Sequence, residues 1–151
     1  MKKKEIKKRI RNGIYLFSCK DVPYKLIDSM IQVISKYDDK YSNNGRIGVM
    51  GVREEMTASN SKMLDYKKNL EVGVEYMKNC ISTSRSLLPK ATIETWYKFS
   101  LAQYLYGQEK IKKIIRSGIN TWHEFNILHG DFSETPEKIW KLFVKSGGKI
   151  V

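Results

Sequence analysis

Two carboxylates that follow a glycine-containing turn are the first residues of this sequence that could do chemistry. The stretch SNNGRIGVMGV, Ser42–Val52, ends in a Gly-x-Met-Gly-x turn, and Glu54 and Glu55 come shortly after it. A tight turn of this kind can hold a substrate beside a catalytic acid, and a carboxylic acid in a partly apolar cleft can protonate a leaving group because its pKa is raised. The simpler interpretation of both glutamates is a solvated helix start, since acids favour the first helical turn.

The other reactive side chains do not form a metal-binding motif. His123 and His129 lie six residues apart without a cysteine or a third histidine nearby, and Cys19 and Cys80 are far apart in the chain. We therefore expect no metal and no cofactor. Two reduced cysteines are expected in preference to a single disulfide.

Positive charge is the largest deviation of the composition from the average. The chain carries 28 Lys and Arg against 16 Asp and Glu, a net charge of +12, and the opening MKKKEIKKRIR supplies half of this excess. Such a balance suits an anionic partner, which could be nucleic acid, an anionic cell-wall polymer or an acidic protein surface. A lysine-rich surface without a specific partner is the alternative.

The apolar run after this basic segment, GIYLFSC, is short for a secretory leader, and no small-x-small cleavage site follows it. No stretch approaches the roughly 20 apolar residues of a membrane span. We expect synthesis in the cytoplasm without a signal peptide, no membrane span, and a first amphipathic helix from Lys2 to Phe17 with a basic outer face.

Apolar residues recur at helical spacing along most of the chain, which predicts a mostly α-helical fold with a small irregular or β-hairpin lobe. The length of 151 residues, with 41% hydrophobic and 29% charged residues, fits a folded protein. A hairpin is expected at most over Arg46–Val52. Beyond the first helix, the predicted helices are PYKLIDSMIQVISKY, DYKKNLEVGVEYMKNCI, TIETWYKFSLAQYLYG, QEKIKKIIRSG, TWHEFNIL and SETPEKIWKLFVKSGG.

Turn and cap residues predict where these helices begin and end. SRSLLPKAT is expected to be a connector. The last helix is expected to begin at Ser133 or Thr135, with Pro136 at an early helical position. The expected division of the chain is a basic N-terminal helix, 1–20, followed by one helical domain, 21–151.

Three segments resemble the soluble-type lytic transglycosylase domain, a branch of the lysozyme-like fold. SNNGRIGVMGV resembles the family's Ser-x-x-Gly-Ala-x-Gly-Leu-Met-Gln turn, and DYKKNLEVGVEYM resembles its Asp-x-x-x-Asn-Ile-x-x-Gly-x-x-Tyr-Leu helix. SLAQYLYG is similar to its Ala-x-x-Tyr-Asn-Ala-Gly helix end. The resemblance covers about residues 23–145 and implies a lysozyme-like fold for the domain at 21–151.

The resemblance also implies a reaction, the cleavage of peptidoglycan glycan strands by one glutamate in a Glu-Ser-x-Phe/Tyr tetrad. The matching tetrad is Ile34–Tyr37, so an isoleucine stands at the position of the acid. Gly51 replaces the glutamine that follows Leu-Met, and Leu105 replaces the asparagine of Tyr-Asn-Ala-Gly. Three polar groups expected at the sugar or the acid are absent together, which argues that selection for this chemistry has relaxed or changed.

The same resemblance implies a set of substrate-binding residues. They are Ser35, Gly48, Met50, Gly51 and Tyr104. For Met50 and Tyr104, packing in the core is the simpler interpretation.

Three hypotheses about function follow. The favoured one is a degenerate transglycosylase-like domain without turnover, a phage-borne virion component or peptidoglycan-binding protein whose partner is a glycan strand or an assembly protein. The second is an active enzyme that uses Glu54 or Glu55 as a displaced acid. The third is a basic module on a lysozyme-like scaffold, whose N-terminal helix binds nucleic acid through phosphates or docks on an acidic protein.

Overall fold

The computed structural model describes residues 2–57 and 65–151. Over these residues the chain forms seven α-helices and one small antiparallel sheet, and 68% of it is helical. The predicted fold class, mostly α with a small β lobe, is confirmed. The helices are α1 (Lys3–Phe17), α2 (Tyr24–Ile34), α3 (Tyr66–Leu87), α4 (Ile93–Tyr106), α5 (Gln108–Arg116), α6 (Trp122–Leu128) and α7 (Gly130–Lys145).

Two compact units make up the chain, and the boundary between them falls within α3. The N-terminal unit is Met1–Tyr76 and the C-terminal unit is Met77–Ile150. In the N-terminal unit α1 packs on α2. The expected division into a basic N-terminal helix, 1–20, and a domain, 21–151, stays a prediction.

The core of the N-terminal unit is formed by one apolar face from each of its helices. On α1 the buried positions are Ile10, Gly13 and Ile14, and the basic residues lie on the other faces. A Cβ atom at Gly13 would lie 3.0 Å from Leu70 Cδ1, so the glycine lets α1 approach the start of α3 closely. The pattern of α2 is the predicted one, with buried residues recurring at three and four positions: Leu26, Ile27, Met30, Ile31 and Ile34.

A three-stranded antiparallel sheet follows α2, in the order β1 (Ser42–Asn43), β2 (Arg46–Ile47) and β3 (Val52–Arg53). β1 and β2 are joined by Asn44 and Gly45, whose φ angles are +50° and +80°. An Asn-Gly pair with two positive φ angles forms the tight turn that matches the twist of a hairpin. The hairpin therefore starts at Ser42 and not, as expected, at Arg46, because Asn-Gly makes a turn within the hairpin instead of a loop before it.

α4 is the central helix of the C-terminal unit. All residues from Tyr97 to Leu105 are buried, and α4 packs against α5, α6 and α7. A helix that is buried on every side is typical of a position inside a domain. One aromatic and aliphatic cluster fills the space around it, with Phe99 meeting Phe125 edge to face at a centroid distance of 5.1 Å.

Three predicted helix ends are wrong. α2 ends at Ile34 and not at Tyr37, because Lys36 and Tyr37 have positive φ angles. In the other two cases a serine that was expected outside a helix lies inside it. α3 continues to Leu87, so the expected connector begins only after it; Ser84 is buried and its Oγ lies 2.7 Å from Ser100 Oγ. α7 begins at Gly130, and Pro136 lies well inside the helix. Ser133 does not cap this helix, because its Oγ is inside the first turn and donates to Asn126 Oδ1 at 2.5 Å.

α3 is the longest of the described helices, at 22 residues, and it carries charged residues along its length. No helix within residues 2–57 and 65–151 has both the length and the apolar character needed to cross a membrane.

Candidate functional site

Ile34, at the position where the resemblance implies a catalytic glutamate, is the last residue of α2 and is 8% exposed. Its side chain lies over Gly51, and a Cβ atom at position 51 would be only 2.5 Å from Ile34 Cγ2. Gly51 also has a φ of +58°, which L-residues with a side chain rarely adopt. Two of the positions that depart from the family pattern are therefore in direct contact, and an apolar side chain fills the volume beside the glycine.

The turn next to Ile34 is held by Asn69, a buried side chain in the first turns of α3. Asn69 Oδ1 accepts a hydrogen bond from the backbone N–H of Met50 at 2.7 Å, and its Nδ2 donates to Ile47 O at 2.9 Å. Asp65 caps α3 by accepting from the backbone N–H of Lys67 at 2.9 Å, which fixes the helix start that carries Asn69. A neutral amide thus satisfies two backbone groups of the turn.

The sequence placed Asn69 in a family motif, but its role as a clamp on the turn was missed. The only signal for it was its position as the asparagine of the Asp-x-x-x-Asn segment.

Two further predicted residues also make internal hydrogen bonds. The Ser35 hydroxyl is buried and donates to Val49 O at 2.7 Å, which ties the end of α2 to the turn. Gly48 has a φ of +77°, and its N–H donates to Tyr41 O at 2.8 Å. The Gly51 N–H in turn donates to Gly48 O at 3.0 Å. The structure therefore brings Ile34, Ser35, Gly48, Met50 and Gly51 together, and their role in binding substrate stays a prediction.

The tetrad continues into two residues with left-handed backbone. Lys36 and Tyr37 have φ angles of +54° and +65°, each of which costs about 1–2 kcal/mol for a residue other than glycine. Contacts to the Tyr37 ring oppose this strain, with Lys7 Nζ 5.2 Å and Arg11 Cζ 5.4 Å from its centroid. The conformation turns the Tyr37 ring back onto α1 and α2.

Asp28 is the carboxylate that precedes Ile34 on α2, and it is engaged elsewhere. Its Oδ1 accepts a hydrogen bond from the Tyr37 hydroxyl, and its Oδ2 accepts one from Gln32 Nε2 at 2.9 Å. Arg11 Nε lies 3.8 Å from the same carboxylate. Burial, together with the hydrogen bond to Asp28, raises the pKa of Tyr37 well above its usual value. Asp28 acts here as the acceptor that holds the tetrad's tyrosine.

The two fallback acids lie in a short 3₁₀ helix, Glu54–Met56. Both are exposed; Glu55 is 56% exposed, and its Oε1 is 3.3 Å from Arg53 Nε. A general acid needs a position where burial raises its pKa, and an exposed carboxylate beside a guanidinium lacks that environment. The geometry gives no support to a displaced acid, and the assignment of Glu54 or Glu55 stays a prediction.

Tyr104 and Leu105 belong to the C-terminal unit, where both are buried in α4, each 1% exposed. Leu105, at the position of the expected asparagine, is part of the core. The burial of Tyr104 agrees with the packing interpretation, and its assignment to a substrate site stays a prediction.

A buried charged cluster in the C-terminal unit was missed by the sequence reasoning. Lys98 is 7% exposed, and its Nζ lies 2.9 Å from Glu137 Oε1 and 3.3 Å from Glu94 Oε2. Each carboxylate also accepts an indole N–H, Glu137 from Trp122 at 2.6 Å and Glu94 from Trp140 at 3.1 Å. The sequence contained a signal for this burial, because Lys98 stands between the aromatic residues Tyr97 and Phe99 in an apolar helix.

The electrostatics of this cluster indicate a packing role. Partial burial pushes the pKa of Glu137 up, but the hydrogen bonds from Lys98 and Trp122 and the charge of Lys98 outweigh it, so the pKa lies below its ordinary value of 4.5. Because the ammonium and both carboxylates have partners within the unit, the cluster joins α4 to α6 and α7 and offers no group to a substrate.

Two grooves of the N-terminal unit border the basic helix. One has a volume of about 610 Å³ and runs beside the tetrad; it is lined by Lys3, Lys4, Ile6, Lys7, Ser35, Lys36, Tyr37, Asp38 and Asp39. The second has a volume of about 550 Å³ and is lined by Lys4, Lys7, Lys8, Arg11, Asn12, Tyr15 and Tyr24. Both are predominantly basic, so each suits an anionic ligand.

Groups that could bind a metal ion are not found in the part of the chain that the structure describes, where no three His, Cys, Asp or Glu side chains come together. Cys19 is half-buried and Cys80 is buried, and neither is in a disulfide bond.

Comparison of the chain with protein-family models, with curated protein sequences and with solved structures finds no match. The similarity to the lytic transglycosylase domain therefore depends on the three sequence segments, and it stays a prediction.

Proposed function

We propose that this chain is a transglycosylase-like domain that binds its target without cleaving it. One observation carries the proposal, the contact of Ile34 with Gly51 at the position implied for the catalytic acid. A carboxylate is needed there to protonate the glycosidic oxygen, and an aliphatic side chain cannot do so.

The surroundings of this contact favour a retained binding scaffold over an unrelated turn. Asn69 and Ser35 hold the turn by three hydrogen bonds to its backbone, so its shape does not depend on the missing acid. A turn that is held by its own hydrogen bonds beside an apolar residue at the acid position is what loss of turnover with retention of binding predicts.

The groove beside the tetrad suggests the class of target. Lysines 3, 4, 7 and 36 line it together with Asp38 and Asp39, an excess of positive charge. Peptidoglycan carries carboxylates on its peptide stems, and such a groove suits a strand of this kind. We place the protein in a phage virion or in an assembly that contacts the cell wall, with a glycan strand as its first candidate partner.

Two assays with purified peptidoglycan sacculi test this proposal. In the first, the protein is incubated with sacculi and soluble muropeptides are measured by mass spectrometry beside a boiled control. We expect no product above the control. Anhydro- or reducing-end products that disappear in Glu54→Ala or Glu55→Ala would overturn the proposal and identify the displaced acid.

The second assay measures sedimentation of the protein with intact sacculi. We expect the protein to pellet with them, and the double variant Lys7→Gln/Lys36→Gln to pellet several-fold less. The matched control is Lys138→Gln/Lys141→Gln, which removes the same charge from exposed positions of α7. If the protein stays in the supernatant, or if both double variants behave alike, the groove beside the tetrad is not a glycan site.

A further inference from the structure

A basic stripe on α1 ends in a pair of stacked tyrosines. Lys4, Lys8, Arg11 and Tyr15 follow one another at three- and four-residue intervals, so they lie along one face of the helix. From Lys4 to Tyr15 this face extends about 16 Å. Together with Lys7, Asn12 and Tyr24 these residues line the groove of about 550 Å³.

The tyrosine pair is built as a platform. The rings of Tyr15 and Tyr24 are stacked with a centroid distance of 4.4 Å and an interplanar angle of 28°. Tyr24, at the start of α2, is half-buried, whereas Tyr15 is 68% exposed. Tyr24 therefore supports Tyr15 from one side, and most of the Tyr15 ring remains available to a planar ligand.

The other face of α1 fixes the direction of this stripe. Ile10, Gly13 and Ile14 are buried, and the close approach at Gly13 sets the helix against Leu70. The basic residues on the stripe are consequently held toward solvent. Asp28 lies 3.8 Å from Arg11 and offsets part of its charge, but Lys4 and Lys8 are exposed.

We propose that this surface binds single-stranded nucleic acid, with phosphates on the lysines and a base stacked on Tyr15. Basic side chains that follow a backbone and an aromatic ring that receives a base are the two components of sequence-tolerant single-strand binding. An acidic protein or a phosphate polymer without bases would use the charges but would leave the tyrosine platform unused. This inference concerns a different groove from the function proposed above; Lys4 and Lys7 border both grooves, whereas Tyr15 and Tyr24 line only this one.

Fluorescence anisotropy with a labelled twelve-residue oligothymidylate tests the proposal on the full chain. We expect binding that weakens with salt, with a logarithmic slope of about −0.7 for each phosphate neutralised. Tyr15→Ala should weaken binding about tenfold, which corresponds to the loss of one stacked base, and leave the slope unchanged. Lys4→Gln/Lys8→Gln should reduce the slope by about 1.4.

Two controls make the result decisive. An abasic oligomer of the same length offers phosphates without bases, and we expect it to bind more weakly and to be insensitive to Tyr15→Ala. Lys138→Gln/Lys141→Gln changes the net charge equally on exposed positions of α7 and should leave binding unchanged. Equal affinity for both oligomers, no effect of Tyr15→Ala, or equal losses in the two lysine variants would overturn the proposal.

Discussion

The two units of this chain differ in one kind of buried polar group. In the N-terminal unit the buried side chains at the glycine turn, Asn69 and Ser35, are neutral and hold backbone atoms. The C-terminal unit buries neutral serines as well, Ser84 and Ser133 among them, and in addition an ammonium, that of Lys98, which is held between two carboxylates. The resemblance implies a charged residue, the catalytic glutamate, beside the turn of the N-terminal unit. The structure has its buried charged residue, Lys98, in the C-terminal unit.

This difference shows that a buried charged residue is not by itself evidence of a catalytic site. A perturbed, buried ionisable group is a common marker of a functional site, but ion-pair networks within a core perturb pKa values as well. At Lys98 and Glu137 each charged atom faces a partner from the same unit, so nothing remains for a ligand. At the turn the buried groups hold backbone atoms, and the residue at the position implied for the acid, Ile34, is apolar.

The largest effect is expected from the neutral clamp. Asn69→Ala removes the hydrogen bonds to the Met50 N–H and the Ile47 carbonyl in a buried setting, which should lower the free energy of unfolding by about 3 kcal/mol. Urea denaturation measures this loss. Asn79→Ala, at an exposed position of the same helix, is the matched control and should cost less than 1 kcal/mol. Equal losses in both variants would show that the turn is not held by Asn69.

The contact at the turn can be tested by adding one carbon atom. Gly51→Ala should lower the free energy of unfolding by about 2.5 kcal/mol, because the positive φ and the overlap with Ile34 Cγ2 both oppose it. Gly45→Ala has a similar φ of +80° and open space, and should cost only about 1 kcal/mol.

A third variant isolates the overlap. Ile34→Leu removes the branch at Cβ, so in this background the extra cost of Gly51→Ala should disappear in thermal denaturation. If the cost is the same with leucine, the strain is in the backbone alone.

Breaking the charged cluster should have a slightly smaller effect. Glu137→Gln keeps an acceptor for Trp122 but leaves the Lys98 ammonium with only the exposed Glu94, and we expect a loss of about 2 kcal/mol. Glu134→Gln changes an exposed position of α7 and should alter the free energy of unfolding by no more than about 0.5 kcal/mol, as is usual for an exposed charge. Unfolding of both variants at pH 7 compares them directly.

The pH dependence gives the smallest effect and the sharpest contrast. The pKa of Glu137 is lower in the folded state than its ordinary value of 4.5, so its ionised form stabilises the protein above that value, and the contribution falls as the pH drops through the lowered folded pKa. The difference in free energy of unfolding between the wild type and Glu137→Gln should therefore become smaller as the pH falls from 6 to 3. The cost of Asn69→Ala should stay constant over this range, since an amide does not titrate there.

The fold class was predictable because periodicity depends on neighbours along one helix. The buried face of α2 is the predicted one, but helix ends were wrong at Tyr37 and where Ser84 and Ser133 form hydrogen bonds inside a helix. A serine signals a cap only if its hydroxyl has no other partner, and that partner is not visible in the sequence. The hairpin was expected to begin only at Arg46, because the pairing of β1 with β2 across Asn44 and Gly45 is likewise not visible in the sequence.

The candidate site was predictable only in part. The replacement of an acid by Ile34 can be read from the sequence, whereas its contact with Gly51 joins residues 17 positions apart through a turn. The clamp by Asn69 and the pairing of Tyr15 with Tyr24 likewise depend on which helices pack together. The burial of Lys98 was not predicted, because the carboxylates that pair with it come from α7 and from the preceding turn of its own helix.

The fit of Ile34 over Gly51 also constrains the order in which this sequence can change. A side chain enters position 51 without overlap only after position 34 has lost its branched carbon, so the two substitutions are accessible in one order and penalised in the other. Sequences that differ at position 51 should therefore carry an unbranched or smaller residue at position 34. The residues that position 51 tolerates therefore depend on the residue at position 34.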